Sequence, residues 1–125
     1  MAKDWLCTPE ERQVCQALAE VQKQVGAKSV QALAIACVMQ KVPCGFPIVG
    51  GRKVEHLDSN IEALDVALSE AQIKYLGGVL PFDKGFPRNF VGDGESYTGL
   101  MKNAAQFEKW PMQQAIRPSK TLESF

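Results

Sequence analysis

Residues 46–57 read FPIVGGRKVEHL. A short apolar run meets two glycines, then two cations, then a segment with the spacing of a helix. Phe46 to Val49 lacks the alternation of a half-buried strand. That is the pattern of a strand covered on both faces in a parallel sheet. How this run is accommodated decides the fold.

Downstream, Val54, Leu57, Ile61 and Leu64 fall at helical period and predict a helix that starts at the turn. Ser69 and Gln72 have the spacing of a capping box and open a further helix, which stops at Gly77-Gly78. Upstream, Ser29 caps a helix to about Gln40 whose middle, ALAIACVM, is apolar on nearly all faces. A helix apolar all round is buried on several sides, so this one needs more than one neighbour. Before it, Thr8 is placed to cap, Pro9 fits the first helical position and Glu11 completes a capping box. Val14, Ala17, Leu18, Val21 and Val25 follow at helical spacing, and Gly26 supplies the stop.

From Leu80 onward the pattern changes. PFDKGFPRNFVGDGESYTG is rich in Gly, Pro and Asp and reads as an ordered loop or extended tail. Leu100 to Lys109 is a weak helix, and RPSKTLESF is expected to fray. The expected order is helix, helix, strand, helix, helix, tail. One strand cannot satisfy its own N–H and C=O groups, and a sheet needs several strands to stand alone. Either the second helix and the strand pack in an all-helical way, or the rest of the sheet lies outside this chain.

The bulk numbers exclude several classes. At 125 residues the chain is one ordinary domain. Lys+Arg and Asp+Glu are both 14, so no basic excess points to nucleic acid. The longest apolar stretch, Ala32 to Met39, is far short of the ~20 residues that span a membrane, and MAKDWLCTPEERQ has no secretory apolar core. Cys7, Cys15, Cys37 and Cys44 form no CxxC pair and have no His at metal-ligand spacing. They read as reduced and mostly structural, which suits a cytoplasmic protein, with a disulfide framework as the alternative. No metal site is expected.

The turn Gly50-Gly51-Arg52-Lys53 has two readings. As a phosphate site, the glycines let the backbone approach a ligand, the helix start offers unpaired N–H groups, and the two cations add charge. Arg grips a phosphate through two donors, whereas Lys acts as a point charge. As a plain structural feature, it is a tight turn with solvated cations. His56, the single histidine, has no Ser, Cys or carboxylate at triad spacing, so nucleophilic catalysis is unsupported.

The stretch FPIVGGRKVEHLDSNIEAL, with ALAIACVMQKVP before it and LSEAQIKYL and VLPFDKGFPRNFVGD after it, resembles the aldo-keto reductases. The nearest branch resembles the fungal aryl-alcohol dehydrogenases and norsolorinic acid reductases. The resemblance covers roughly residues 8–93 and implies an α/β fold: a C-terminal fragment of a (β/α)8 TIM barrel, mostly helical, with one strand. Residues 1–93 then form the C-terminal part of an NADP-dependent oxidoreductase domain, and 94–125 a C-terminal tail. The family barrel takes about 250 residues or more, twice this length. Strands one to seven and the family's Asp, Tyr, Lys and His tetrad would be absent.

By the same resemblance, Val49, Gly50, Gly51, Arg52 and Lys53 form the turn that binds the adenosine end of NADP(H). Arg52, with Lys53, faces the 2′-phosphate. His56 stands where relatives often carry an Arg or Gln that touches phosphate or adenine; solvated or locally bonded is its other reading. Asn60 matches the Asn that bonds the adenine, or is simply a polar helix position. Ser59 departs from the Glu or Gln common there, which weakens one adenine contact. Tyr75 and Tyr97 do not match the catalytic tyrosine, so no catalytic residue is assigned. Phe82, Phe86, Phe90 and Trp110 either line a substrate pocket in a complete enzyme or anchor the tail. The substrates implied are aromatic aldehydes or alcohols. The alternative is an inactive remnant or interaction module that docks on a full-length relative. In either case, without the missing strands, Leu33, Ile35 and Val38 are expected to be partly exposed.

Overall fold

The structure, a computed structural model, describes residues 7–92 and 97–118 of the chain. Residues 119–125 of the expected frayed end, and 93–96 of the expected loop, lie outside the described residues. Six helices occur in order among the described residues: α1 Pro9–Val25, α2 Val30–Lys41, α3 Val54–Ile61, α4 Glu70–Gly78, α5 Arg88–Val91 and α6 Gly99–Ala104. A 3-10 turn, Glu62–Leu64, follows α3 directly. The chain divides into two compact units, one of residues up to 80 together with those from 114, the other of residues 81–113.

In the first unit, the helix starts are set by side chains. Thr8 Oγ1 accepts the Glu11 N–H at 3.1 Å, and the Glu11 carboxylate accepts the Thr8 N–H at 2.7 Å. Gly26, at φ 69°, ends α1 in the left-handed region that favours glycine. Ser29 caps α2 through the Ala32 N–H at 3.0 Å. Ser69 and Gln72 close the expected capping box of α4, with bonds of 3.0 and 3.3 Å.

The strand expected at Phe46–Val49 is absent: no strand forms among the described residues, and the connection from α2 to α3 is irregular. The physical reason is that a strand exists only as half of a hydrogen-bonded pair. Phe46 and Ile48 are 89% and 102% exposed, so the residues read as doubly covered are covered on neither face.

Helix α2 has the several neighbours its composition demands. It packs against α1, α3, the 3-10 turn and α4. Leu33, expected to be partly exposed, is fully buried; α1 and the segment after α3 cover it, so no missing strand is needed on that face. Ile35 is half-buried, and Val38 is 57% exposed, as expected. The core is thin. Only Leu33 and Val21 are fully enclosed among its larger side chains, with Ala32, Ala36 and Ala63 filling between them.

A polar residue does part of the work of a sheet. Gln40 is buried, its Nε2 donates to the Val66 carbonyl at 2.6 Å and its Oε1 accepts the Leu68 N–H at 3.0 Å. The segment leading into α4 is thereby pinned to α2. Gln40→Met keeps the volume but strands both backbone groups, each of which costs free energy when buried unpaired. We expect this variant to lose about 1.5 kcal/mol in urea unfolding followed by circular dichroism. A loss no larger than that of Val38→Ala would count against the pinning role.

Helix α3 is where it was expected, but its apolar stripe is uncovered. Val54, Leu57, Ile61 and Leu64 are all more than half exposed. Periodicity marks which residues share a face, not whether anything lies against it. On α3, Ser59 shares a hydroxyl hydrogen bond of 3.0 Å with Ser29, and in the 3-10 turn that follows Glu62 accepts the Lys28 N–H at 2.8 Å.

Between α1 and α4, the Tyr75 hydroxyl donates to the Glu20 carboxylate at 2.9 Å. That bond, together with the carboxylate's charge, holds the exposed phenol above its ordinary pKa. All four cysteines are free; Cys7, Cys15 and Cys44 are exposed. Burial pushes the half-buried Cys37 thiol up, with Lys41 partly offsetting it.

In the second unit, Thr98 caps α6 and Ala105, in extended backbone, ends it. The weak helix expected over Leu100–Lys109 is therefore shorter. Helix α5, a single turn, interrupts the stretch expected to be loop throughout. The Tyr97 and Phe107 rings lie 5.1 Å apart, and the Tyr97 hydroxyl donates to the Glu108 carbonyl at 3.3 Å. Phe82, Phe86, Phe90 and Trp110 are all exposed. No helix among the described residues is long and apolar enough to cross a membrane.

Candidate functional site

The turn before α3 borders a groove of about 440 Å³ lined by Val49, Gly50, Gly51, Arg52, Lys53, Val54, Leu57 and Asn60. Its walls are exposed or half-buried residues, so it is an open groove and not an enclosed cavity. Six of the seven residues singled out from the sequence meet there: the run from Val49 to Lys53, and Asn60 two turns along α3. The seventh, His56, is not part of the lining. Its Nδ1 accepts the Arg52 N–H at 3.3 Å. Ser59, one residue before Asn60, is bonded to Ser29.

Val54 and Leu57 line the groove and were not singled out as site residues. Their signal was legible: Val54, Leu57 and Asn60 recur every three residues and share one face of a helix. The sequence uses Val54 and Leu57 only to predict the helix.

Two features give the groove an anion-seeking end. Arg52 and Lys53 make no ion pair with any described residue. The N-cap of α3 is Lys53, which makes no side-chain cap bond, whereas α1, α2 and α4 each carry a Thr or Ser cap. The first N–H groups of α3 thus lack the side-chain acceptor the other long helices supply. An anion placed there would meet a guanidinium, an ammonium and the positive end of a helix together. Val49, Val54 and Leu57 provide an apolar wall beside it, and Asn60 provides an amide.

The two glycines have different reasons. A Cβ on Gly51 would lie 2.5 Å from the His56 Cβ, so the protein's own packing requires glycine there. A Cβ on Gly50 would meet nothing within 4 Å. Gly51→Ala is expected to cost about 1 kcal/mol and to displace the Arg52 amide, because two backbone-tethered carbons must separate. Gly50→Ala should leave stability unchanged. Thermal unfolding and the Arg52 amide resonance check both; equal effects from the two variants would contradict the packing argument.

No described cluster of His, Cys, Asp and Glu can hold a metal ion. Neither tyrosine lines the groove. The arrangement can bind and orient; it holds no evident proton donor for carbonyl chemistry.

The aldo/keto reductase family model matches residues 1–80. The chain belongs to the aldo/keto reductase family. It is similar to an aryl-alcohol dehydrogenase named for NADP(+) from Phanerodontia chrysosporium, 53% identical over 93% of this chain and 30% of that protein. It is also similar to the aldo-keto reductase ausK of Aspergillus calidoustus, 45% identical over 74% of this chain and 24% of that protein. Norsolorinic acid reductase B of Dothistroma septosporum is 43% identical over 74% of this chain and 26% of that protein. The chain thus spans under a third of the length of these relatives. No solved structure matches it.

Proposed function

We propose that this aldo/keto reductase chain forms the C-terminal, cofactor-anchoring end of an NADP-dependent oxidoreductase that acts on aromatic aldehydes, ketones or alcohols. The observation that carries this reading is the groove beside α3, where Gly50 to Lys53, at an uncapped helix end, share one lining with Asn60 two turns along. In this assignment Arg52 grips the 2′-phosphate through paired donors and Lys53 adds a point charge. The backbone at Gly50 and Gly51 lets the nucleotide approach, Asn60 bonds the adenine, and Val54 and Leu57 cover its face. NADP(H), when bound, supplies the hydride. This chain's residues hold its adenosine end, and the groups that place the nicotinamide and donate the proton belong to other parts of a barrel. Residues 1–93 carry the cofactor role and 94–125 act as a tail. A cytoplasmic location goes with this reading, supported by four free thiols.

The test is to titrate the purified chain with NADPH, follow cofactor fluorescence, and assay reduction of an aromatic aldehyde. Saturable binding without turnover is expected. A folded chain that binds no NADPH overturns the cofactor assignment; turnover that disappears on Arg52→Ala overturns the division of labour.

One observation favours a second reading, a non-catalytic module that docks on a full-length relative. Phe46, Ile48, Val54, Leu57 and Ile61, all exposed, form more apolar surface than a short stretch of a soluble protein ordinarily leaves uncovered. Sedimentation of the chain mixed with a full-length aryl-alcohol dehydrogenase distinguishes this: a stable complex with no NADPH binding by the chain alone selects the module.

A further inference from the structure

The geometry assigns His56 a role that differs from contact with the nucleotide. We infer that His56 is a positioning residue: its neutral imidazole holds the Arg52 N–H and so sets the anion-binding turn, and protonation releases that turn. This rests on the reading of the groove as a nucleotide site, and it adds pH control of that site.

Three observations converge. The ring does not line the groove, although residues on both sides of it in the sequence do. Its Nδ1 accepts the Arg52 N–H at 3.3 Å, which requires a bare nitrogen there. The side chain is packed onto Gly51 so closely that an added Cβ would lie 3.1 Å from Nδ1 and 3.2 Å from Cγ. The ring is thus held behind the turn by packing and joined to the backbone of the residue whose guanidinium faces the anion.

Protonation puts a hydrogen on Nδ1, so the ring and the Arg52 N–H both become donors and the bond is lost. A positive charge is also gained, and it pulls the other way, toward tighter anion binding. His56 is exposed, so water screens that charge, whereas the donor–donor clash acts directly on the Arg52 backbone. Loss of the acceptor decides the sign. The charged groups nearest the ring in the chain are Arg52 and Lys53 on the turn and Glu55 and Asp58 on α3. The elements packed against α3 contribute Lys41 at the end of α2 and Glu62 in the 3-10 turn, and Glu62 is bonded to the Lys28 N–H.

The experiment uses the isotopically labelled full chain and its His56→Asn variant, in which the amide oxygen replaces Nδ1 as a permanent acceptor. Because the chain has one histidine, its ring nitrogens are read without assignment. The neutral ring is expected to carry its proton on Nε2, and protection of the Arg52 amide is expected to fall on acidification in the parent but not in the variant. Adenosine 2′-monophosphate, titrated at a series of mildly acidic to mildly basic pH values, reports on the site. Its own phosphate titrates equally with both proteins, so the parent-to-variant ratio isolates the histidine. The parent should lose roughly fivefold more affinity than the variant on acidification. A parent that tightens relative to the variant would show direct contact with the anion and overturn the inference. A neutral ring protonated on Nδ1 overturns it as well, even if neither protein binds the nucleotide, an outcome that by itself removes only the nucleotide reading.

Discussion

Arg52→Ala is expected to lower the affinity of the chain for NADPH roughly fiftyfold and to leave its thermal stability unchanged, if the proposed cofactor site is correct. The magnitude follows from the loss of charge-assisted hydrogen bonds to a phosphate, which contribute about 1.5–3 kcal/mol, at about 1.4 kcal/mol for each factor of ten. Stability is untouched because Arg52 is exposed and makes no ion pair with a described residue. The loss should be specific. NADH lacks the 2′-phosphate, so its weaker binding changes little and the preference for NADPH collapses. Arg52→Lys recovers only part of the affinity, since an ammonium supplies charge without a planar pair of donors. Fluorescence titration with both dinucleotides checks all three statements. Equal loss for NADPH and NADH would mean that Arg52 shapes the turn and does not grip the phosphate.

The second large effect is in the core. Leu33 is fully buried, and among the described residues it is the largest side chain to be so. Its truncation to alanine removes the transfer energy of the lost atoms and leaves a cavity in a core that also holds Val21, Val66 and Leu68. Leu→Ala at such sites costs about 3–5 kcal/mol. Small domains are stable by only ~5–15 kcal/mol, so a large part of the total disappears. Leu33→Ala should shift the urea midpoint strongly and broaden or abolish the cooperative transition at 37 °C. Val38→Ala, five residues along the same helix but 57% exposed, should change stability by less than about 0.5 kcal/mol. Similar losses from the two would mean that α2 buries a different face in solution.

The difference between Leu33 and Val38 also shows where local reading stops. Both lie in one uniformly apolar helix, and nothing within that helix says which faces are covered. Composition requires several neighbours for α2, and it has them. Which residues face those neighbours depends on how α1 and the segment after α3 are placed. The run from Phe46 to Val49 is the same problem in sharper form. Its side chains have the character of a doubly covered strand, yet the backbone forms none, because the partner that would accept its hydrogen bonds must come from elsewhere in three dimensions.

The candidate site was legible to a different degree at each residue. Gly50, Gly51, Arg52 and Lys53 are contiguous, so their convergence needs only a turn. Asn60 joins them through helical period alone. Val54 and Leu57 share that period and predict only a helix, since spacing cannot say whether a face meets protein or ligand. His56 fits the periodic face poorly, and only the tertiary structure shows its ring packed onto Gly51 and bonded at Arg52.

What the amino-acid order determined by itself was local. It determined the Thr, Ser and Gly boundaries of α1, α2 and α4, the turn that opens α3, and the family. Caps, left-handed glycines and helical spacing act over three or four residues, so they are written where they operate. Only the tertiary structure decided which half of α2 is enclosed, that Gln40 takes the place of a strand partner, that the stripe on α3 is uncovered, and that His56 braces the turn. Each of these depends on groups far apart in the chain meeting or failing to meet, and burial and hydrogen-bond pairing exist only between groups that have met.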